Sequence, residues 1–146
     1  MAMITFAVIC SKAKPPPPRG RYFNQVVPDN VCIEVNWVDD PCRPEEDVAL
    51  LLLCDGRRVD SVPMEVQTKG FNIFEIAQTS REEYDDFLHV SDMNCHSYPV
   101  DDGHLHEFIY NEKVNTIAVK LRDGVVTLKS GACPQELGGP ALLVQQ

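Results

Sequence analysis

Apolar and polar side chains alternate along much of this chain with the period of two that an extended strand imposes by turning successive side chains to opposite faces. In Val31-Cys-Ile-Glu-Val-Asn-Trp37, the residues Val31, Ile33, Val35 and Trp37 share one face and Cys32, Glu34 and Asn36 the other, which predicts a half-buried strand. Asp47-Val-Ala-Leu-Leu-Leu-Leu-Cys54 is a continuous apolar run, and Asp55-Gly56 supplies the turn to a second strand over residues 58–66. The same device joins residues 115–122 to residues 125–129 across Asp123-Gly124, because Asp-Gly accepts the positive φ angles of tight hairpin turns. Two such hairpins imply antiparallel pairing. Residues 3–9, 22–27, 71–76 and 104–110 carry further strand patterns, for about eight or nine strands.

One helix interrupts the pattern. Ser80-Arg-Glu-Glu83 has the form of a capping box, and Tyr84, Phe87 and Leu88 then fall on one face, which predicts two to three turns near residues 80–88. The expected fold is therefore all-β and mainly antiparallel, a β-sandwich with one short helix. Its single domain runs over residues 1–129. Within it, residues 11–21 form a Pro-rich connector, because Pro15-Pro-Pro-Pro18 fixes φ and removes four donors. Residues 130–146 are rich in Gly and Pro but finish apolar, so they form either a mobile tail or a segment docked on the sheet.

A chain of 146 residues is long enough for one core, and 44% hydrophobic with 24% charged residues is an ordinary globular composition. The formal charge of −9 repels polyanions, which argues against nucleic-acid and anionic-membrane partners and favours a cationic partner or a metal ion. No apolar run reaches the ~20 residues of a membrane span, and the opening ten residues are too short for a signal segment with a charged start. A cytoplasmic protein is expected on that reading. Cys10, Cys32, Cys42, Cys54, Cys95 and Cys133 are even in number but widely spaced, so reduced thiols are expected.

The sharpest chemical feature is a cluster in which all four histidines, His89, His96, His104 and His106, lie close in sequence to several acids. In an extended strand His104 and His106 would face the same side and could hold Zn²⁺ with a third ligand from the preceding loop. The oxygens of Asp92, Asn94, Asp101, Asp102 and Glu107 suit Ca²⁺ instead. Both metal readings stand against a plain one, in which these residues line a solvated face. Cys95 beside His96 is the one candidate thiol nucleophile, but neighbours in a strand point to opposite faces, so no enzyme is expected. Lys12, Pro15 and Pro18 fit the basic, proline-spaced pattern that aromatic grooves recognise, which otherwise reads as a spacer.

The order of Val31-Cys-Ile-Glu-Val-Asn-Trp-Val-Asp39, Asp47-Val-Ala-Leu-Leu-Leu-Leu-Cys-Asp-Gly56, Ser91-Asp-Met-Asn94, Asp101-Asp-Gly103 with Glu107, and Val114-Asn-Thr-Ile-Ala-Val-Lys-Leu121 resembles the TerD family of tellurium-resistance and stress-response domains. The resemblance implies a β-sandwich whose acidic loops bind Ca²⁺ through Asp47, Asp92, Asn94, Asp101, Asp102 and Glu107. A further alternative is a virus-encoded accessory protein that engages a host factor, motivated by Leu142-Leu-Val-Gln-Gln146, which looks like the product side of a Gln-directed cut. The leading expectation is a non-enzymatic protein-binding module, monomeric or homodimeric, with a metal ion ordering the loop from His89 to Glu107.

Overall fold

The computed structural model describes residues 18–38, 46–122 and 124–134. The expected strand over residues 3–9, the candidates Lys12 and Pro15, and Leu142 to Gln146 lie outside them.

Nine antiparallel strands follow in chain order: β1 Gly20–Val27, β2 Val31–Val38, β3 Glu46–Cys54, β4 Arg57–Asp60, β5 Met64–Gly70, β6 Ile73–Ile76, β7 Glu107–Asn111, β8 Thr116–Leu121 and β9 Gly124–Ser130. The helix α1, Arg81–Asn94, follows a single 3-10 turn between β6 and β7. Each strand of the series β2-β1-β9-β8-β7-β6-β5-β3 pairs with the next, and β3 pairs back onto β2, so eight strands close on themselves. The ninth, β4, hangs on β3. This corrects the expected sandwich. Two facing sheets need free edges, and here the pairings of β1 with β9 and of β3 with β5 join them.

An eight-stranded barrel is just wide enough for inward side chains to fill it. Trp37, Tyr22, Phe108, Ile33, Leu50, Leu52, Met64, Ile117 and Leu128 are all fully buried and belong to one core cluster. Trp37 stands edge-on to Phe74 and Phe108, with ring centroids 5.1 and 5.7 Å away, and its Nε1 donates to Glu46 at 3.3 Å.

The apolar run in β3 is continuous because both of its faces are covered. Val48, Leu50, Leu52 and Cys54 face the barrel interior, while Leu51 and Leu53 join Cys32, Cys133 and Phe23 in a second cluster on the outer wall. The start of the C-terminal segment makes that cover. Cys133 is disulfide-bonded to Cys32 across 101 residues, and its backbone N–H donates to buried Glu34 at 2.9 Å. Gly131, at φ +138°, lets the segment approach so closely that an added Cβ would stand 2.6 Å from the Phe23 ring.

Several local expectations shift for identifiable reasons. The strand expected over residues 58–66 breaks in two, because Pro63 cannot donate to a ladder. At the break β3 exchanges partners, and Ser61 holds the junction: its Oγ accepts from the Leu50 N–H and its own N–H donates to the Leu50 carbonyl, both at 2.8 Å. The Asp55-Gly56 turn forms as expected, with φ +54° and +77°.

The helix runs six residues past its expected end, because Ser91 continues the buried stripe begun by Tyr84 and Phe87. Nor does the capping box form. The Ser80 hydroxyl instead accepts from the Glu65 N–H at 2.9 Å, tying the helix start to β5. The thiol expectation is also overturned: all four described cysteines are paired, Cys32 with Cys133 and Cys54 with Cys95.

Two stability measurements test this architecture. Trp37→Ala removes the largest side chain of the core and should cost about 3–5 kcal/mol in equilibrium denaturant unfolding. Replacing Cys32 and Cys133 together by Ser frees a loop of about a hundred residues and should cost about 2–5 kcal/mol, with the barrel's far-ultraviolet spectrum retained.

Candidate functional site

The expected metal loop becomes the plug that closes one end of the barrel. Tyr84 and Phe87 of α1, followed by Tyr98, Val100 and Leu105, enter the core cluster from that end. Cys95 ends the helix and is disulfide-bonded to Cys54 at the tip of β3. Beside it the Asp55 carboxylate accepts from Ser97 Oγ at 2.6 Å, from the N–H groups of His96 and Ser97, and from Asn30. Hydrogen bonding, first from the Ser97 hydroxyl, holds its carboxyl below the usual aspartate range.

Tyr84 is the pivot on the other side of the plug. Its hydroxyl donates to the His104 carbonyl at 2.6 Å and accepts from the Gly103 N–H at 2.9 Å. Burial is the main reason that its pKa is pushed up to about 12.

The site residues expected from sequence are engaged separately. His104 and His106 do not share a strand face, because β7 begins only at Glu107. Between them Leu105 adopts φ +53° and is fully buried. His104 Nδ1 accepts from the Asp101 N–H at 2.9 Å, and the His106 ring packs edge-on to Tyr84 at 5.1 Å. Asp102 pairs with Arg81 at 2.8 Å and Glu107 with Lys69 at 2.7 Å. Asn94 bonds Arg57 and the Val90 carbonyl, and Asp92 is exposed on the helix.

Asp47 is the second residue of β3, seven residues from the plug at Cys54, a span of roughly 23 Å in an extended strand. Pro18 is buried immediately before β1. Among the described residues, Cys54, Asp55 and Cys95 are the one trio of metal-capable side chains with ligand atoms within 4.8 Å of each other. The disulfide occupies both sulfurs of that trio. The same bond removes Cys95 as a thiol nucleophile.

What sequence reasoning missed lies on the outer wall of β5 to β9. Phe71 was placed within a strand, but it sits at the tip of the β5–β6 hairpin, where Asn72 turns the chain at φ +58°. Phe71 is 82% exposed, Val125 75%, Val114 63% and Ile109 45%. Register aligns Ile73, Ile109, Ala118 and Thr127 in one row across β6, β7, β8 and β9. The signal was present in the alternation itself: Phe108 and Ile117 point inward, so Ile109 and Ala118 must point outward.

The charges on this wall, Glu65, Glu75, Glu107, Lys69, Lys120 and Lys129, cancel, in contrast to the whole chain's −9. The opposite wall also carries apolar residues, and there the segment bearing Cys133 covers them. A polar groove of about 160 Å³ beside it is lined by Arg21, Glu34, Asn36, Arg58 and Asp60, with acids and arginines in balance.

No helix among the described residues is long and apolar enough to cross a membrane.

The plug generates a pH test. Because the folded-state pKa of Tyr84 is raised above the ordinary tyrosine value of 10.0, its contribution to stability is complete below that pH and is lost as pH rises toward about 12. Tyr84→Phe should therefore flatten the alkaline fall of stability. It should also cost about 1–3 kcal/mol near neutrality, because the Gly103 N–H and the His104 carbonyl lose their partner; urea titrations at several alkaline pH values read both effects. Comparisons with protein-family models, with curated proteins and with solved structures give no match to this chain.

Proposed function

We propose that this chain is a non-enzymatic protein-binding module of an oxidising compartment, and that its working surface is the outer wall of β5 to β9. The observation that carries the reading is the contrast between the inside and outside of the barrel. Large side chains fill the interior, which leaves binding to the exterior, and of the seven exposed large apolar side chains among the described residues four stand on or at the ends of this wall, the others being Val62, Val90 and Met93. Exposed apolar groups gathered on one face mark interaction surfaces, since dispersing them over the surface would cost a monomer nothing.

The two disulfides support the compartment in this reading, because such bonds persist where thiols are not continuously reduced. In this reading they take the place of the cytoplasmic expectation, which rested on the lack of an apolar span and of a signal-like opening. A non-enzymatic role is supported by the engagement of Cys95, Asn94, Asp102, His104 and Glu107 in structural bonds. The partner in this reading is a protein.

A photo-crosslinking residue at Thr127, exposed in the middle of the wall, tests the proposal in the native cells or fluid. The expected result is a discrete protein adduct that Ile109→Glu removes without altering the thermal midpoint. Absence of any adduct, or an adduct equally strong in the Ile109→Glu variant, contradicts it.

A further inference from the structure

We infer that the protein received by this wall is a second copy of the same chain, stacked face to face about a two-fold axis that runs parallel to the strands between β7 and β8. The inference rests on the reading of the wall as a protein-binding surface and adds its occupant. An isologous interface must be complementary to itself, and the residues of this wall are arranged in that way.

Shape gives the first argument. In the row formed by Ile73, Ile109, Ala118 and Thr127, the larger side chains occupy β6 and β7 and the smaller ones β8 and β9. Rotation about the stated axis lays β7 of one copy over β8 of the other, while β6 and β9 curve away on either side with the barrel wall. Ile109 then meets Ala118 of the second copy, twice by symmetry. Each large residue falls on a small one, which allows the two sheets to approach at ordinary packing distance.

Charge gives the second argument, and it is independent of the first. The acids Glu75 and Glu107 lie on β6 and β7, whereas Lys120 and Lys129 lie on β8 and β9. The same rotation brings Glu107, which pairs with Lys69 of its own copy at 2.7 Å, over Lys120 of the second copy as a further cation, twice by symmetry. Two molecules that each carry −9 repel one another over most approaches. A wall whose charges cancel overall, and on which the rotation sets Lys120 of one copy over Glu107 of the other, is the face on which that repulsion turns into attraction.

The apolar row is covered by the stack, while Phe71 and Val114 project from the hairpins at one end of the wall, where they can extend the contact at its rim. The opposite wall offers no comparable face, because the segment bearing Cys133 already occupies its apolar patch.

Sedimentation velocity of the purified, oxidised protein from nanomolar to high-micromolar concentration tests the inference. The wild type should pass from monomer to dimer. Ile109→Glu should remain monomeric throughout. Lys120→Glu should raise the dimer dissociation constant by at least about tenfold, and Glu107→Lys combined with Lys120→Glu should recover most of that loss, because the exchanged charges again face each other. The double variant guards against reading a local folding defect as loss of contact.

A wild type that stays monomeric at every concentration overturns the inference. So does a dimer indifferent to Ile109→Glu, or one that the double variant fails to restore. If the wild type is monomeric yet the Thr127 cross-link to another protein persists and depends on Ile109, the second copy is excluded while the binding wall stands. If neither dimer nor cross-link depends on Ile109, both readings fall.

Discussion

Closure of the sheet is the constraint on which everything else in this molecule depends. Once β1 pairs with β9 through Tyr22–Ser130 and Phe23–Lys129, each strand of the ring has one face that can only point inward. Eight strands enclose a space that side chains fill, so residues such as Trp37, Phe108 and Leu52 are held by geometry as much as by apolar character. The same closure leaves one end to be sealed. Helix α1 and the residues that follow it supply the seal, fastened through the Tyr84 hydroxyl on one side and the Cys54–Cys95 bond on the other.

A filled interior moves the interest of the molecule to its walls, and the two main walls are treated differently by the chain. Beside β2 and β3 the outward apolar residues Leu51 and Leu53 are roofed by the chain's own segment, locked by Cys133 and by the hydrogen bond to Glu34. Across β6 to β9 the outward row is left open, with its charges balanced. An apolar wall that is covered from within and another that is exposed are two answers to one problem, because both faces of an antiparallel sheet must meet something. The plug, by contrast, is rich in ionisable groups that have partners within it: Arg81 with Asp102, Asp55 with the Ser97 hydroxyl, and His104 with the Asp101 backbone N–H.

Much of the local structure was legible from the sequence, since strands such as β2, β3 and β8 announce themselves through alternation or apolar runs bounded by Asp-Gly. Pro63 was a readable sign that the strand over residues 58–66 could not be continuous. Ser91, seven residues after Tyr84, was a weaker sign of the longer helix, because one small polar residue does not look like part of a buried stripe. Closure was not legible. Hairpins are written in adjacent residues, but the β1–β9 and β3–β5 pairings join segments whose sequences carry no label for each other, and a sandwich and a barrel share the same alternation.

The histidine cluster misled for a related reason. Two histidines spaced by one residue face the same way only in extended backbone, and Leu105 leaves that conformation to bury itself beneath the plug. The disulfide partners, 101 and 41 residues apart, were likewise fixed by the fold and not by spacing. The outward face of the wall could have been read from the inward one, but its shape and charge pattern emerge only when register aligns four strands.

The most direct measurement of the central claim is a nuclear Overhauser spectrum of the oxidised protein across the junction of β1 and β9. Closure predicts cross-strand backbone contacts linking Tyr22 with Ser130 and Phe23 with Lys129. Strong contacts within the β1–β2 and β8–β9 hairpins with none between β1 and β9 would show an open sheet, and the account of a filled barrel working through its walls would be contradicted.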